Sequence, residues 1–553
     1  MGQINRPQVG SPFSYNDLFY DYSSFRTLSP FAYNIYNPDG SFGYSKWQLE
    51  QGSSYNVNNV VGRMSYYGYN RDFENNMNLV TSATQKLDFI TKGLQLRGTL
   101  SYASSQTNSR NVNRDQFPSF MYDPATATYT SRDPNIYRIR RFFVNYSAGN
   151  TTRKLNLQGF LEYDRTFGEK HHVYGMALFN QSTNIAQNNN ADYNYVPNNF
   201  RGLTARVGYD YKDKYLVQFN SAYNGSDLFV EGKRYGFFPA VSGGWNVSEE
   251  AFFEPLKKVV SHMKIRGSYG VVGNDRIGNF SYYYRQVYSS GNGAGGQTSF
   301  GYQHNGYTGV VEGTLPNFDI SWEKERKADI GLELEFLKGK ITFTGDYFNN
   351  RRYDIITNRG GISAIFGQSL PPTNFGIVSN KGYELELVGR GNFTKDFSFN
   401  VRGIYSFAKN KILEMDEPAA LYPWLQQTGH SIGQISTYKW IGFYQDKADI
   451  DASPKPPVAA RPGDLKYADL NGDGIINEFD KSYTEYPNLP NTTYGFQLGL
   501  NYKSLSFMVL FRGSANFNVR GVSESIRRFR PTCKTCTVTH GRLNWATMPA
   551  TRC

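Results

Sequence analysis

Residues 330–347, IGLELEFLKGKITFTGDY, decide the fold. Ile330, Leu332, Leu334 and Phe336 alternate with Gly331, Glu333 and Glu335. After the turn Lys338-Gly339, Ile341, Phe343, Gly345 and Tyr347 alternate with Thr342, Thr344 and Asp346. Successive strand residues point to opposite faces, so each half has one oily and one wet side. The pattern recurs outward in both directions. Leu94, Leu96, Leu100 and Tyr102 alternate with Gln95, Arg97, Thr99 and Ser101, and Leu155, Leu157, Leu161 and Tyr163 with Asn156, Gln158 and Glu162. Tyr494, Phe496, Leu498, Leu500 and Tyr502 form another such stretch, answered after Lys503-Ser504 by Leu505, Phe507, Val509 and Phe511. These segments run roughly 10–14 residues, beyond the usual five or six of a soluble sheet and enough to cross a bilayer. Their wet side carries charge: Arg97, Glu162, Glu333, Glu335, Asp346, Glu384 and Glu386. A wide barrel accommodates this, with charge on an aqueous lumen and the oily side on lipid. The expectation is an all-β protein, a large antiparallel transmembrane β-barrel.

Composition agrees. Aromatics make up 16 % of the 553 residues, with Tyr 43, Phe 40 and Gly 54. So many aromatics disfavour disorder, and this balance disfavours a helical enzyme. No run of 18 apolar residues predicts a membrane helix. The net charge of +12 comes from singly scattered Lys and Arg, which argues against a nucleic-acid partner. Connections alternate in length. Short ones fall at 91–93, 167–170, 212–214, 338–340 and 503–504; long polar ones fall at 107–135, 183–201, 291–297, 351–376 and 410–489. Short turns on one side and long loops on the other describe an outer-membrane barrel. About sixteen spanning strands are expected. Aromatic pairs and triplets, Phe237-Phe238 and Tyr282-Tyr283-Tyr284, are expected at interfacial girdles.

Several motifs resemble the SusC/RagA family of TonB-linked outer-membrane transporters. They are KYLVQFNSAYNGSDLFVEGKRYGFFPAVSGGWNVSEEAFF (214–253), KIRGSYGVVGND (264–275), SWEK (321–324), GIVSNKGYELEL (376–387) and RPGDLKYADLNGDGIINEFD (461–480). They cover most of residues 60–530, in family order. The resemblance implies a 22-stranded barrel plugged by an N-terminal domain, of which this chain supplies part. It also implies a SusD-like surface lipoprotein as lid, energy delivered by the TonB complex through the plug, and oligosaccharides or peptides as substrates.

On this reading residues 1–60 are the barrel start or an extracellular loop, and 61–531 the partial barrel. No plug or TonB-contacting segment is expected before residue 60, and the last strands are expected to be missing. The tail 532–553 holds all three cysteines. A second reading frame, back-translated from the Thr532 codon, permits LQDVH, WTPELG and NDARYPV, so the tail is expected to be a frameshifted replacement. Cys533, Cys536 and His540 then form no zinc site, since two Cys and one His are an incomplete tetrahedral set.

The sharpest ligand pattern is 469–480. Asp469, Asn471, Asp473, Asn477 and Asp480 supply oxygens at positions 1, 3, 5, 9 and 12. Gly474 stands at position 6 and the Ile475 carbonyl at 7, the spacing of an EF-hand loop. Ca²⁺ in a structural role is expected here, ordering the 410–489 loop; a metal-free Asn/Asp/Gly turn is the alternative. His171 and His172 are adjacent on a strand and face opposite ways, which disfavours joint ligation. Glu333/Glu335 and Glu384/Glu386 could mimic an acid/base pair, but a solvated lumen wall explains them better. No GxSxG, HExxH or Walker loop occurs, so no enzyme is expected. Tyr302, Tyr307, Tyr422 and Trp424 are candidates for stacking on sugars, or for ordinary loop packing.

Together these readings make the chain the barrel portion of an outer-membrane nutrient importer. A passive porin or adhesin-like barrel and a soluble β-rich glycan-binding module remain open.

Overall fold

The computed structural model describes residues 2–5, 34–48, 54–57, 59, 61–62, 66, 68–113, 117–132, 134–139, 141–186, 195–276, 282–290, 297–300, 302, 305–361, 365, 370–521 and 536–539. Fifteen strands form one antiparallel sheet in which each strand hydrogen-bonds to its neighbours in sheet-strand order. They are β1 (Gly2–Asn5), β2 (Gly68–Lys86), β3 (Leu94–Asn113), β4 (Phe143–Phe167), β5 (His171–Ile185), β6 (Asn198–Tyr211), β7 (Tyr215–Ser226) and β8 (Tyr235–Asn246). The run continues with β9 (Val260–Asn274), β10 (Glu323–Phe336), β11 (Ile341–Thr357), β12 (Thr373–Asn392), β13 (Phe397–Glu414), β14 (Thr492–Tyr502) and β15 (Leu505–Ala515). The architecture is that of a large β-barrel wall. The 330–347 hairpin is β10–β11, with Ile330 opposite Tyr347 and Glu333 opposite Thr344.

Two expectations need adjustment. Among the described residues the sheet has fifteen strands, β1 being only four residues long, where about sixteen spanning strands are expected. Part of the 275–322 connection pairs into two-stranded ribbons, 288–290 with 310–312 and 297–300 with 305–308, each too short to span. Many strands also outrun their alternation. β3 continues to Asn113 and β4 starts at Phe143, inside or next to the expected 107–135 loop. Beyond the bilayer the contrast between a lipid face and a water face is lost, so alternation fades while backbone pairing persists.

The short turns follow from local chemistry. At Phe167–Lys170 and Tyr211–Lys214 the last N–H donates to the first carbonyl, at 3.2 and 2.9 Å. The central residues Gly168, Glu169, Lys212 and Asp213 all have φ between 52° and 57°. Two successive positive φ values make a type I′ turn, whose twist matches that of the flanking strands.

The outward side is oily: Leu96, Leu100, Leu157, Leu161, Val217, Phe219, Ile330, Tyr347 and Leu387 are all exposed there. Packing concentrates where the long loops leave. Phe229, Phe238, Ile320 and Trp322 are buried together, with Phe200, Ala222, Val271, Tyr283 and Ile356 against them. The Trp322 ring lies 5.5 Å from Phe229 and 5.2 Å from Phe238, and its Nε1–H donates to the Arg234 carbonyl at 2.9 Å.

This cluster corrects the girdle expectation. Phe237 is 59 % exposed and Phe238 only 6 %, because neighbours on β8 point to opposite faces. Tyr282 is buried, its hydroxyl donating to the Pro197 carbonyl, and the Tyr284 hydroxyl donates to the Asp227 carbonyl. These two tyrosines pin loops to one another and do not sit in a lipid girdle.

Candidate functional site: the wet wall and the long-loop end

The inward positions of the sheet form rows set by register. One row runs Asp210, Leu216, Gly244, Arg266, Gly331, Asp346, Glu384, Ser406. Its centre is Arg266, half-buried on β9. Its Nη2 lies 2.6 Å from Asp346 Oδ1, its Nε 2.9 Å from Glu333 Oε1 and its Nη1 3.5 Å from Asp329 Oδ1. One guanidinium thus ties β9, β10 and β11 through charge-assisted contacts, which are stronger than neutral ones. Glycine makes room for it: a β-carbon on Gly331 would come within 2.8 Å of Arg266 Cζ and 2.4 Å of Asp346 Oδ1.

Smaller pairs repeat the theme. Arg402 Nε donates to Glu386 Oε1 at 2.7 Å, and Arg97 Nη2 to Glu162 Oε1 at 2.9 Å with its head over the Phe160 ring. Glu333 is therefore bound to Arg266 and Glu386 to Arg402. One carboxylate of each pair thus belongs to a lumen-wall ion pair. Arg266 itself escaped the sequence reading. Its inward alternation with Lys264 and Ser268 was readable, but its partners lie 63 or more residues away and only register unites them.

His172 and His171 separate as alternation demands. His172 bridges Asp210 (Nδ1 to Oδ2, 2.6 Å) and Asp164 (Nε2 to Oδ1, 3.2 Å), while His171 Nδ1 meets the Tyr209 hydroxyl at 2.9 Å.

At the long-loop end, the connection between β13 and β14 is the most elaborate. Residues 436–438 pair with 481–483, and 440–443 with 465–467. A helix, α1 (Lys447–Ala452), is capped by the Asp446 side chain. Burial would push the Glu417 carboxyl up. Hydrogen bonds from the Thr428 side chain and from the Gln427 and Thr428 amides (2.9 and 2.8 Å) outweigh it and hold the group below its ordinary value. The Lys466 ammonium, 2.6 Å away, holds Asp449 low in the same way. Asp227, in the β7–β8 loop, is pushed up by burial against opposing hydrogen bonds from Asn199.

The 469–480 loop is closed by its own carboxylates. Asp469 accepts from the Gly472 and Gly474 amides at 2.7 and 2.8 Å. Asn471 accepts from the Asp473 amide, and Asp473 from the Ile475 amide. The Ile475 amide and the Asn471 side chain hold the Asp473 carboxyl below its usual range. Asp480, 0 % exposed, accepts from Leu470 N–H and Asn477 N–H at 2.8 Å each. Asn477 and Asp480 together cap a short 3₁₀ turn. Gly472 and Gly474 take φ of 76° and 79°, which suits glycine. Among the described residues no three His, Cys, Asp or Glu side chains cluster as metal ligands do. As donors to an ion, then, Asp473 is exposed, whereas Asp469 and Asp480 are each committed to two backbone amides.

Tyr422 and Trp424 stack on each other, centroids 4.7 Å apart, and Trp424 Nε1–H donates to the Phe479 carbonyl at 2.8 Å. Their contacts are those of loop packing. Tyr302 is fully exposed. Of Tyr307 and Cys536 only the backbone is described, and Cys533, His540 and Cys553 lie outside the described residues.

Comparison with known proteins converges on this architecture. The family model "TonB dependent receptor-like, beta-barrel" matches residues 3–525. TonB-dependent receptor P26 of Formosa agariphila is 26 % identical over 427 residues, covering 70 % of this chain and 41 % of that protein. TonB-dependent receptor SusC of Bacteroides thetaiotaomicron is 25 % identical over 324 residues, covering 56 % and 30 %. In fold the chain is similar to the structure of the RagAB peptide transporter, with TM-score 0.63 at 16 % identity over 87 % of this chain and 51 % of that one. The chain thus spans less than half the length of these curated relatives. It belongs to the TonB-dependent receptor-like β-barrel family of the outer membrane.

Proposed function

We propose that this chain is barrel wall of an energised nutrient importer, taking up oligosaccharides or peptides with a SusD-like surface lipoprotein over the long-loop end. Force on a plug, delivered by the TonB complex, would open the path. The observation that carries this reading is the two-sided sheet: an oily outer face, a charged inner face and the longest structured loops gathered at one end, within a family match that spans the sheet. The reading involves no catalytic centre. Uptake of labelled oligosaccharides and peptides by cells producing the full-length protein tests it. Import should stop with a protonophore and on deletion of TonB. Import that persists under both would favour a passive porin.

We also propose that Ca²⁺ settles on the 469–480 loop through Asp469, Asn471, Asp473, Asn477 and the Ile475 carbonyl, with Asp480 organising the backbone behind them. The donor spacing supports this, as does the exposed Asp473 carboxylate. Calcium should protect the 415–491 connection from proteolysis in the wild type and not in Asp473→Ala. Equal cleavage with calcium and with chelator would sink the proposal.

A further inference from the structure

The inner face holds a hollow that none of the ion pairs fills. Its volume is about 250 Å³, and it is lined by Tyr174, Gln218, Ser242, Lys264, Arg266 and Asp329, among others. Register explains its shape. Tyr174, Gly208, Gln218, Ser242, Ser268 and Asp329 form one hydrogen-bonded row across six successive strands, β5 to β10. The row is tall at its ends and low in the middle. The next row toward the short turns adds Leu216, Gly244 and Arg266, again with a glycine at the centre. Side chains short enough to expose the floor thus sit between Tyr174 on one side and the Arg266 cluster on the other.

We infer that this hollow is a binding site for a hydroxyl-rich ligand, one sugar unit of a neutral oligosaccharide passing along the wall. The inference rests on the importer reading and chooses between its two substrate classes. The lining offers donors and acceptors together: the Ser242 and Ser268 hydroxyls, the Gln218 amide, the Lys264 ammonium and the Asp329 carboxylate. A sugar hydroxyl both donates and accepts, so such a mixed lining satisfies it. The Tyr174 hydroxyl donates to Gln218 Oε1 at 3.0 Å, and Gln218 Nε2 donates to Asn220 Oδ1 at 3.1 Å, which fixes the amide's orientation. The charges that line it are Lys264, Arg266 and Asp329; Arg266 is already engaged by Asp329, Glu333 and Asp346, which leaves little for an anion, and a cation would meet Lys264. Leu216 supplies the aliphatic contact, too little to hold a hydrophobic peptide side chain. The volume lies below the roughly 300 Å³ where drug-sized clefts begin, which suits a single ring.

Gly244 gives a clean test, because a β-carbon there meets nothing nearer than 3.4 Å. Gly244→Leu should fill the hollow from its floor with the wall intact, and Ser242→Leu is a second filling variant. Heat-modifiable migration checks the fold of each. Binding to the detergent-purified full-length protein is measured calorimetrically with maltotriose, mannotriose, xylotriose, trigalacturonate and trialanine. At least one neutral trisaccharide should bind, and a folded filling variant should weaken it about tenfold or more, the loss of one or two hydrogen bonds. Binding of trialanine or trigalacturonate alone, of no probe, or of a neutral sugar indifferent to both folded variants overturns the site. Protonophore-sensitive uptake, measured separately, shows whether the importer reading survives that outcome.

Discussion

Arg266 and Gly331 face each other across β9 and β10, and the guanidinium lies where a side chain on Gly331 would stand. Gly331→Ala should push the Arg266 head away from Asp346 and Glu333. Overpacking of this kind costs about 1–3 kcal/mol, so the thermal midpoint of the folded barrel should drop. Arg266→Gln in the Gly331→Ala background should add little further loss, since both act on one contact. Fully additive losses would show that the two residues are independent.

Trp322 is the keystone of the long-loop end, touching Phe229, Phe238 and the Arg234 carbonyl. Trp322→Ala should cost about 3–5 kcal/mol, the usual figure for deleting a large buried aromatic. Limited proteolysis should then cut first within 227–234 and 282–320 and leave the short turns intact. Cleavage spread evenly over both ends of the sheet would contradict the assignment.

Lys212 and Asp213 occupy a turn that demands positive φ from both. Replacing them with Asn-Gly should stabilise the β6–β7 hairpin by about 0.5–1 kcal/mol, since those residues suit type I′ geometry. Chemical denaturation of the pair of proteins reads this directly. An unchanged or lowered midpoint would count against the turn.

The 415–491 connection should loosen in acid. Glu417, Asp449 and Asp473 are all held below their ordinary values in the folded loop. A carboxylate with a depressed folded pKa adds stability above its unfolded value and loses it as pH falls through the folded one. The unfolded value is about 4, so hydrogen exchange in 415–491 should be slow and flat from pH 7 to 5, after correction for intrinsic rates. It should accelerate below about pH 4. Glu417→Gln should flatten part of that rise.

How much of this was legible beforehand divides along physical lines. The hairpin 330–347 was readable because one side of each strand meets lipid and the other water, and hydrophobicity records that alternation. The outer parts of β3 and β4 were not readable, because no lipid–water contrast divides their two faces: Asn111 and Val112, neighbours on opposite faces of β3, are both buried. The separation of His171 from His172 followed from strand geometry alone. The Arg266 cluster and the Tyr174–Asp329 row depend on which strands align with which, and hydropathy does not encode register. In the 469–480 loop the donor spacing was plain, but the spacing gave no sign that Asp480 would be spent on the Leu470 and Asn477 amides.

Each long strand of the sheet binds its immediate predecessor and successor among the sheet strands. Such a wall is modular: hairpins can be inserted, duplicated or lost without rethreading the remainder, and circumference becomes an adjustable quantity. Lineages of these proteins could therefore widen or narrow the passage one hairpin at a time, while each surviving turn keeps its local grammar.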